Sequence, residues 1–479
     1  MKKNITSGVV ITFLLLLVFL APRPVYAAEI DLTGIFESQR RFIEEEYINK
    51  LRTTEQRSFL EKGEKVKFES GGLLSSSYYF SRNLDKDSST KDTLFSIFTQ
   101  ELWLWGKATF SNGNFFYIRG RDSYSKKQNS SIYTGVAAGD DHAGPSLDMA
   151  YLSLNHKGRS LAIGRQYFLV GRGIAFRDTN DGIQFISYSN RWLFKFLFAH
   201  SLPNQDNVDY SIPGFDKKSN NRYYYGGEAG YLPNEEDKIY FFFLLQKDLA
   251  RSHPVDLTQN YRYDSQYFGS GFRSVRGNFS FRGELIKETG TSHTDSAAGS
   301  VRRIPVDAWA ALLGARYKFK QPAEPETDFE IAFGSGDKDR SNVTNTKNGG
   351  NTGSRDSNFL YFGNYAGGYA LSPRLSNLFI FKIDQSLKPL YFTKPFKDVT
   401  LGAKFITYLK DKKTGGISDV AANEDKRFVG TETDFYCYWS ITKNLAYLIR
   451  YGIFYPGAAY PKTTRDNTKY LYTRLTYIF

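Results

Sequence analysis

Cationic side chains recur in this sequence one position away from large apolar ones. Tyr117, Arg119 and Arg121 alternate with Phe116 and Ile118, and Lys195 stands among Trp192, Phe194, Phe196 and Phe198. Arg282 and Glu284 alternate with Phe279, Phe281 and Leu285, and Arg316 and Lys318 with Trp309, Leu313, Tyr317 and Phe319. Arg450 and Arg474 occupy two further alternating stretches. A period of two sends neighbours to opposite faces of a β-strand. Where the apolar face meets lipid, the charges must face inward, because a charge at mid-membrane on the lipid side costs roughly 2–4 kcal/mol. A lumen lined by Arg and Lys lowers the barrier to anions. The planar guanidinium fork also suits carboxylates. Glu284, Glu432 and Asp434 are the expected acidic counter-charges, with Glu432 and Asp434 (opposite Val429, Phe435 and Trp439) paired to Arg450 and Arg474 on neighbouring strands.

Other chemistries find little support. Of the five histidines, His142, His253 and His293 fall in polar connections, His156 in a turn and His200 at a strand end. No G-x-S-x-G elbow accompanies them, and Gly144-Pro145-Ser146-Leu147-Asp148 does not fit one. The lone Cys437 excludes an intrachain disulfide framework and a Cys-based zinc site. Ser335-Gly336-Asp337-Lys338-Asp339 lacks the later bidentate Glu of a calcium loop, and no phosphate-cradling loop occurs. The reading is therefore no enzyme, no metal and no cofactor. The net charge of +13 lies on residues interleaved along strands, which argues against a nucleic-acid partner.

The elements that must position these residues follow from composition and period. The chain has 40 Phe, 34 Tyr and 41 Gly but only 2 Met, with 41% hydrophobic residues. That balance suits a surface half facing lipid and half facing water. Lys2 and Lys3, an apolar run from Val9 to Leu20 and Val25-Tyr26-Ala27 read as a secretory signal peptide over 1–27. Residues 28–65 are densely charged and read as a periplasmic N-terminal segment. From 66 to 479 the period is two, and about 18 strands, an even number, are expected to form one transmembrane antiparallel β-barrel. In the last strand Leu471, Thr473, Leu475, Tyr477 and Phe479 share one face, opposite Tyr470, Tyr472, Arg474 and Thr476. Segments such as 147–156, 159–168, 180–189 and 277–287 repeat the pattern. Short turns alternate with long polar connections such as 201–220 and 335–373, the asymmetry of short periplasmic turns and long extracellular loops. The periplasmic connection 385–396 is an exception in length. It and 335–373 are the candidate gates. Apolar outward faces all round favour a monomer in outer-membrane lipid.

Two segments go beyond a generic barrel. Ile163-Gly164-Arg165-Gln166, followed by Gly171-Arg172-Gly173 and Asp181-Gly182-Ile183, resembles the GRQ…DG segment of the alginate export family of outer-membrane barrels. Gly430-Thr431-Glu432-Thr433-Asp434, with Phe454-Tyr455-Pro456-Gly457 downstream, is similar to that family's G-x-E-x-D…F-x-P-G signature. The resemblance implies a barrel of the bacterial outer membrane with an Arg-rich constriction passing an anionic uronate polymer, in partnership with a periplasmic export apparatus. It carries over to Arg165, Glu432 and Asp434. Arg165 joins the expected pore-lining set, although simple parity points it towards lipid unless a bulge at Gly164 re-aims it. A general or anion-selective diffusion porin shares every one of these features and stays open as the alternative, with an outer-membrane lipid hydrolase behind it.

Overall fold

The computed structural model describes residues 66–479 apart from 88, 90–93, 130–137, 203–207, 209–220, 250–261, 295–300, 344–345 and 347–348. The expected signal peptide and the charged segment 28–65 lie outside the described residues. The strands are β1 (Val66–Arg82), β2 (Leu94–Phe110), β3 (Phe115–Lys127), β4 (Gly139–His156), β5 (Arg159–Val170) and β6 (Phe176–Ser189). They continue with β7 (Trp192–His200), β8 (Arg222–Tyr231), β9 (Lys238–Asp248), β10 (Asp264–Arg276), β11 (Phe279–His293) and β12 (Arg303–Lys318). The last are β13 (Glu326–Gly334), β14 (Leu378–Leu387), β15 (Val399–Lys410), β16 (Phe428–Ser440), β17 (Leu445–Pro456) and β18 (Thr468–Ile478).

Each strand pairs antiparallel with the next, and β1 pairs with β18 to close an 18-stranded barrel. At the seam the Gly72 N–H donates to the Phe479 carbonyl at 2.8 Å, and the Phe479 N–H returns to Gly72 at 3.0 Å. The Phe479 ring lies over Gly72, where an added Cβ would come within 2.4 Å of it. Closure leaves no unpaired edge, which is what lets a sheet stand alone in an apolar medium.

The alternation sorts as expected on most strands. Phe116, Ile118, Trp192, Phe194, Phe196, Leu285, Leu313, Phe405, Phe435 and Leu475 are exposed on the outside. Val429 breaks the pattern and is fully buried. The β15–β16 register shifts between Tyr408 and Leu409, and Gly430 takes φ +150°, so a bulge turns Val429 to the interior. Connections at one end of the barrel are short (157–158, 190–191, 277–278), and most at the other are long (201–221, 335–377). The short end is knitted by Asp237. Arg276, the Asn234 amide and the Val275 N–H all donate to it, and these donors, Arg276 foremost, hold its carboxyl well below the usual carboxylate range.

Two segments leave the wall and fold into the lumen. Pairing of β4 with β5 stops at Ala150/Arg165 and pairing of β6 with β7 stops at Asp181/His200, yet β5 and β6 stay paired to Val170/Phe176. The hairpin 166–180 therefore has no lateral neighbour in the sheet. It bends inward where Gly164 and Gly182 face each other across the pair. Gly164 has φ +127°, and a Cβ on it would lie 2.3 Å from the Ala150 carbonyl; one on Gly182 would lie 2.0 Å from the Phe198 carbonyl. Arg165 grips Asp181 beside this bend, with Nε and Nη2 at 2.8 and 3.1 Å. The second segment is the connection 335–377. The N–H groups of Phe362, Gly363 and Asn364 donate to the carbonyls of Ala175, Ile174 and Gly173 in the hairpin.

Together these folds build a buried apolar cluster inside the barrel. Phe168, Val170, Ile174 and Phe176 of the hairpin and Phe359, Leu360, Tyr361 and Phe362 of the connection pack on Tyr224, Phe242, Tyr267, Ile286 and Ala308 of the wall. Among the described residues the cluster draws no member from β1, β2, β3, β4 or β18. The hairpin's other face, Tyr167 and Leu169, packs on Met149 of β4, with Tyr117 of β3 against it.

Glycine at the bend is a steric and conformational requirement, so Gly164→Ala should cost about 1–3 kcal/mol in strain at positive φ, before any clash. A lower denaturant midpoint for loss of the folded, gel-shifted barrel is the expected outcome, and an unchanged midpoint would mean the hairpin is not held at this bend.

Candidate functional site: a cationic arc of the lumen

An arc of the wall formed by β17, β18 and β1–β4 carries four arginines, with Glu101 and Asp148 among their partners. Arg119 on β3 pairs with Asp148 at 2.5 Å and lies over the Trp103 ring, 4.6 Å from its centroid. Arg121, two residues on, pairs with Glu101 of β2, and its side chain keeps 41% of its surface exposed. Arg474 on β18 reaches the other oxygen of Glu101 at 3.5 Å and the Ser75 hydroxyl at 3.0 Å. Arg450 on β17 has no carboxylate within ion-pair distance among the described residues. It packs over the Tyr369 ring at 5.2 Å and reaches the Tyr438 hydroxyl at 3.4 Å. The arc therefore holds a surplus of positive charge, and Arg450 is the guanidinium best placed to accept a carboxylate from outside the protein.

The other expected cations lie within ion-pair networks. Arg282 forks onto Asp328 at 2.8 and 2.7 Å and reaches Glu330 at 2.7 Å. Arg316 contacts Asp328 at 2.9 Å and Glu326 at 3.1 Å, and Lys318 is 3.5 Å from Glu326. Lys195 is buried against Glu228 at 3.4 Å and donates to the Leu169 carbonyl at 2.6 Å. Glu101, Asp148, Glu326, Asp328 and Glu330 were not among the expected counter-charges. The signal for two of them is plain in hindsight, since Asp328 and Glu330 alternate with Phe329 and Ile331 on the strand beside Arg316. Arg165 does not stand free, because Asp181 occupies its fork.

The expected pairing of Glu432 and Asp434 with Arg450 and Arg474 does not occur. Glu432 instead accepts the N–H groups of Tyr369, Ala370 and Leu371 at 2.6, 2.7 and 3.0 Å, and the Tyr408 hydroxyl at 2.9 Å. Asp434 is fully buried, and neither of its oxygens has a hydrogen-bond partner among the described residues. Glu284 likewise serves the inward hairpin, accepting the Arg172 N–H at 2.7 Å and the Tyr240 hydroxyl at 2.6 Å. Glu228 accepts the Gly171 N–H at 3.1 Å, and Glu288 the Leu360 N–H at 2.9 Å. Wall carboxylates thus fasten both inward folds by their backbone amides. The connection 388–398 makes contacts of another kind: the Lys388 N–H donates to the Ala323 carbonyl, the Trp439 indole donates to the Pro395 carbonyl, and Phe392 is 72% exposed. Of the described histidines, His142 contacts Asp122, His200 contacts Asn221 and His293 contacts backbone carbonyls.

Three amide bonds to one carboxylate make Glu432 the main anchor of the deepest part of 335–377. Glu432→Ala should leave the barrel closed but loosen residues 369–371, raising single-channel conductance and adding fast current fluctuations in a planar bilayer. Quiet currents of parental size would show that the connection is held elsewhere.

A family model described as alginate export matches residues 106–473. No protein of curated function matches the chain in sequence. Among solved structures, Pseudomonas aeruginosa OccK9 (OpdG) is similar over 86% of this chain and 98% of its own, at 12% identity and TM-score 0.55. Acinetobacter baumannii OccAB4 matches over 88% and 100% at 10% identity and TM-score 0.54. Pseudomonas aeruginosa OpdK, solved with vanillate, matches over 86% and 98% at 11% identity and TM-score 0.52. At these identities the likeness is one of fold.

Proposed function

The chain belongs to the alginate export family, and from that premise we propose that it passes an anionic exopolysaccharide of the polyuronate type out of the cell. Family and fold together make it a channel barrel of the bacterial outer membrane rather than an enzyme. In this reading the short connections face the periplasm and the long ones the exterior, and residues 28–65 meet a periplasmic export apparatus. Transport is passive: the polymer's carboxylates move between weak cationic sites along the arc of β17, β18 and β1–β4.

The observation that carries the proposal is the charge surplus of that arc. The ion pairs of Arg119, Arg121 and Arg474 run to Glu101 and Asp148, and Arg450 has no carboxylate within ion-pair distance among the described residues. Fixed cations in a narrow, low-dielectric lumen raise the local concentration of anions. Sites of this kind must release as well as bind, and a partly neutralised arginine ladder does both.

A second reading, a diffusion channel for small anionic solutes, is favoured by the two inward folds, which narrow the lumen. Single-channel recording of the refolded protein separates the two. The export reading expects a reversal potential showing anion preference, and block by oligouronates but not by neutral oligosaccharides. Arg450→Ala should shorten the block by roughly tenfold, the loss of one charge-assisted contact of about 1.5 kcal/mol. Cation preference, or indifference to oligouronates, would remove the polymer and leave a small-solute channel.

A further inference from the structure

The same arc that carries the arginines also carries aromatic rings, and their placement is regular. Tyr79 on β1 and Tyr472 on β18 are directly cross-strand, and Tyr472 is in turn opposite Arg450 on β17. Nearer the short-connection end, Trp105 on β2 is opposite Arg119 on β3 and stacks on Tyr117 at 6.2 Å and 22°. Between these rows stand Arg121 and Arg474. Rows on one face of a strand recur every two residues, roughly 7 Å. Passing from the short-connection end outward, the rows read Trp105 with Arg119, Trp103 with Arg121, Ser75 with Glu101, Ser77 with Arg474, and Tyr79 with Tyr472 and Arg450.

The rings at the two ends of the arc are held differently. A Cβ on Gly71 of β1 would meet the Trp105 indole at 2.7 Å, so the indole lies flat across the neighbouring strand instead of standing into the lumen. Glycine in a strand commonly marks such a close approach. Tyr472 is partly exposed and has no ring stacked on it among the described residues. Trp105 and Tyr117 cover one face of each other, Tyr117 packs on Met149, Tyr167 and Leu169, and Tyr79 meets Phe95 and Tyr470 edge to face, so Tyr472 is the ring of the four without such a contact among the described residues. The inward positions next to it on β1 and β2 are small, Ser77 and Thr99.

A small inorganic anion or a flexible acidic peptide has no use for such faces. A pyranose ring does: its axial C–H groups form an apolar surface that packs on an aromatic face, while its hydroxyls and carboxylate project to the side. We infer that Tyr472, with Tyr79 beside it, is a sugar-stacking subsite next to Arg450, so that the arc recognises carboxylated pyranose chains by ring and charge together. The inference rests on the proposed export of a polyuronate and adds what selects that polymer over other polyanions.

The test compares two blockers of equal length and charge in single-channel recording of the full barrel: an oligouronate, and an oligoglutamate, which has carboxylates but no pyranose. In the parent channel the oligouronate should block for longer. The double variant Tyr79→Leu/Tyr472→Leu should shorten the oligouronate block by roughly tenfold, two ring contacts' worth, and bring it to the oligoglutamate value. Tyr79→Phe/Tyr472→Phe, which keeps both rings, should retain the difference. If the double Leu variant fails to fold, Tyr472→Leu alone should show about a threefold loss. Equal block by the two polymers in the parent channel, or a difference that survives loss of the rings, overturns the stacking subsite while leaving the cationic channel in place. Absence of block by either polymer removes the export reading and the subsite with it.

Discussion

A closed barrel pairs every backbone group of its wall, so any chain that enters the lumen finds no ladder to join and must have its amides satisfied by side chains. Wall glutamates supply that need here. Glu228 and Glu284 hold the tip of the hairpin 166–180, Glu288 holds Leu360, and Glu432 takes three consecutive N–H groups at 369–371. Carboxylate acceptors form stronger bonds to amides than neutral ones do, by roughly a factor of two. Without them the inward folds would leave buried donors unpaired, at about 1–3 kcal/mol each. The rest of the interior arrangement depends on these bonds.

They also explain where the positive charge is found. A carboxylate turned towards backbone amides is not turned towards an arginine. Glu284 and Glu432 have no cation within ion-pair distance among the described residues, although the lumen of the barrel contains many. On the wall away from β1–β4, the remaining acids Asp328, Glu330 and Glu326 neutralise Arg282, Arg316 and Lys318 locally. What is left uncompensated lies on the opposite arc. Glu284 and Glu432, turned to the backbone amides of the inward folds, are thereby withdrawn from the arginines, and the surplus of positive charge on the arc is the counterpart of that arrangement.

Much of this was legible from period and parity. Strict alternation is enforced by the cost of misplacing a charge, so the number of strands, their order and the outward faces of Phe116, Leu285 or Leu475 could be read directly. Val429 could not, because a bulge at Gly430 shifts parity by one residue and alternation carries no sign of it. The inward hairpin left a trace: Tyr167-Phe168-Leu169-Val170 abandons alternation for a continuous apolar run, the pattern of a strand buried on both faces. Phe359-Leu360-Tyr361-Phe362, in a connection otherwise rich in Gly, Asn and Ser, is the same signal in a loop. The roles of Glu432 and Glu284 were out of reach. Pairing rules read from sequence match acids with bases, whereas the partners here are backbone amides of a distant segment.

The glycines of the GRQ and DG segments acquire a physical meaning from this arrangement. Gly164 and Gly182 are opposite each other at the point where β5 and β6 lose both neighbours, and each is pressed against a carbonyl of the strand it leaves. Arg165 and Asp181 tie the two strands together beside the bend. A hairpin attached to the wall only through its own two strands needs such a clasp to leave at a fixed angle, since nothing lateral guides it. That angle sets where Gly171 and Arg172 meet Glu228 and Glu284, and through the bridge between Phe176 and Phe362 it sets the path of the connection 335–377. The motif residues thus act on the passage from a distance: they position the folds that confine it, while the arginines and tyrosines that border it sit on strands outside the motif.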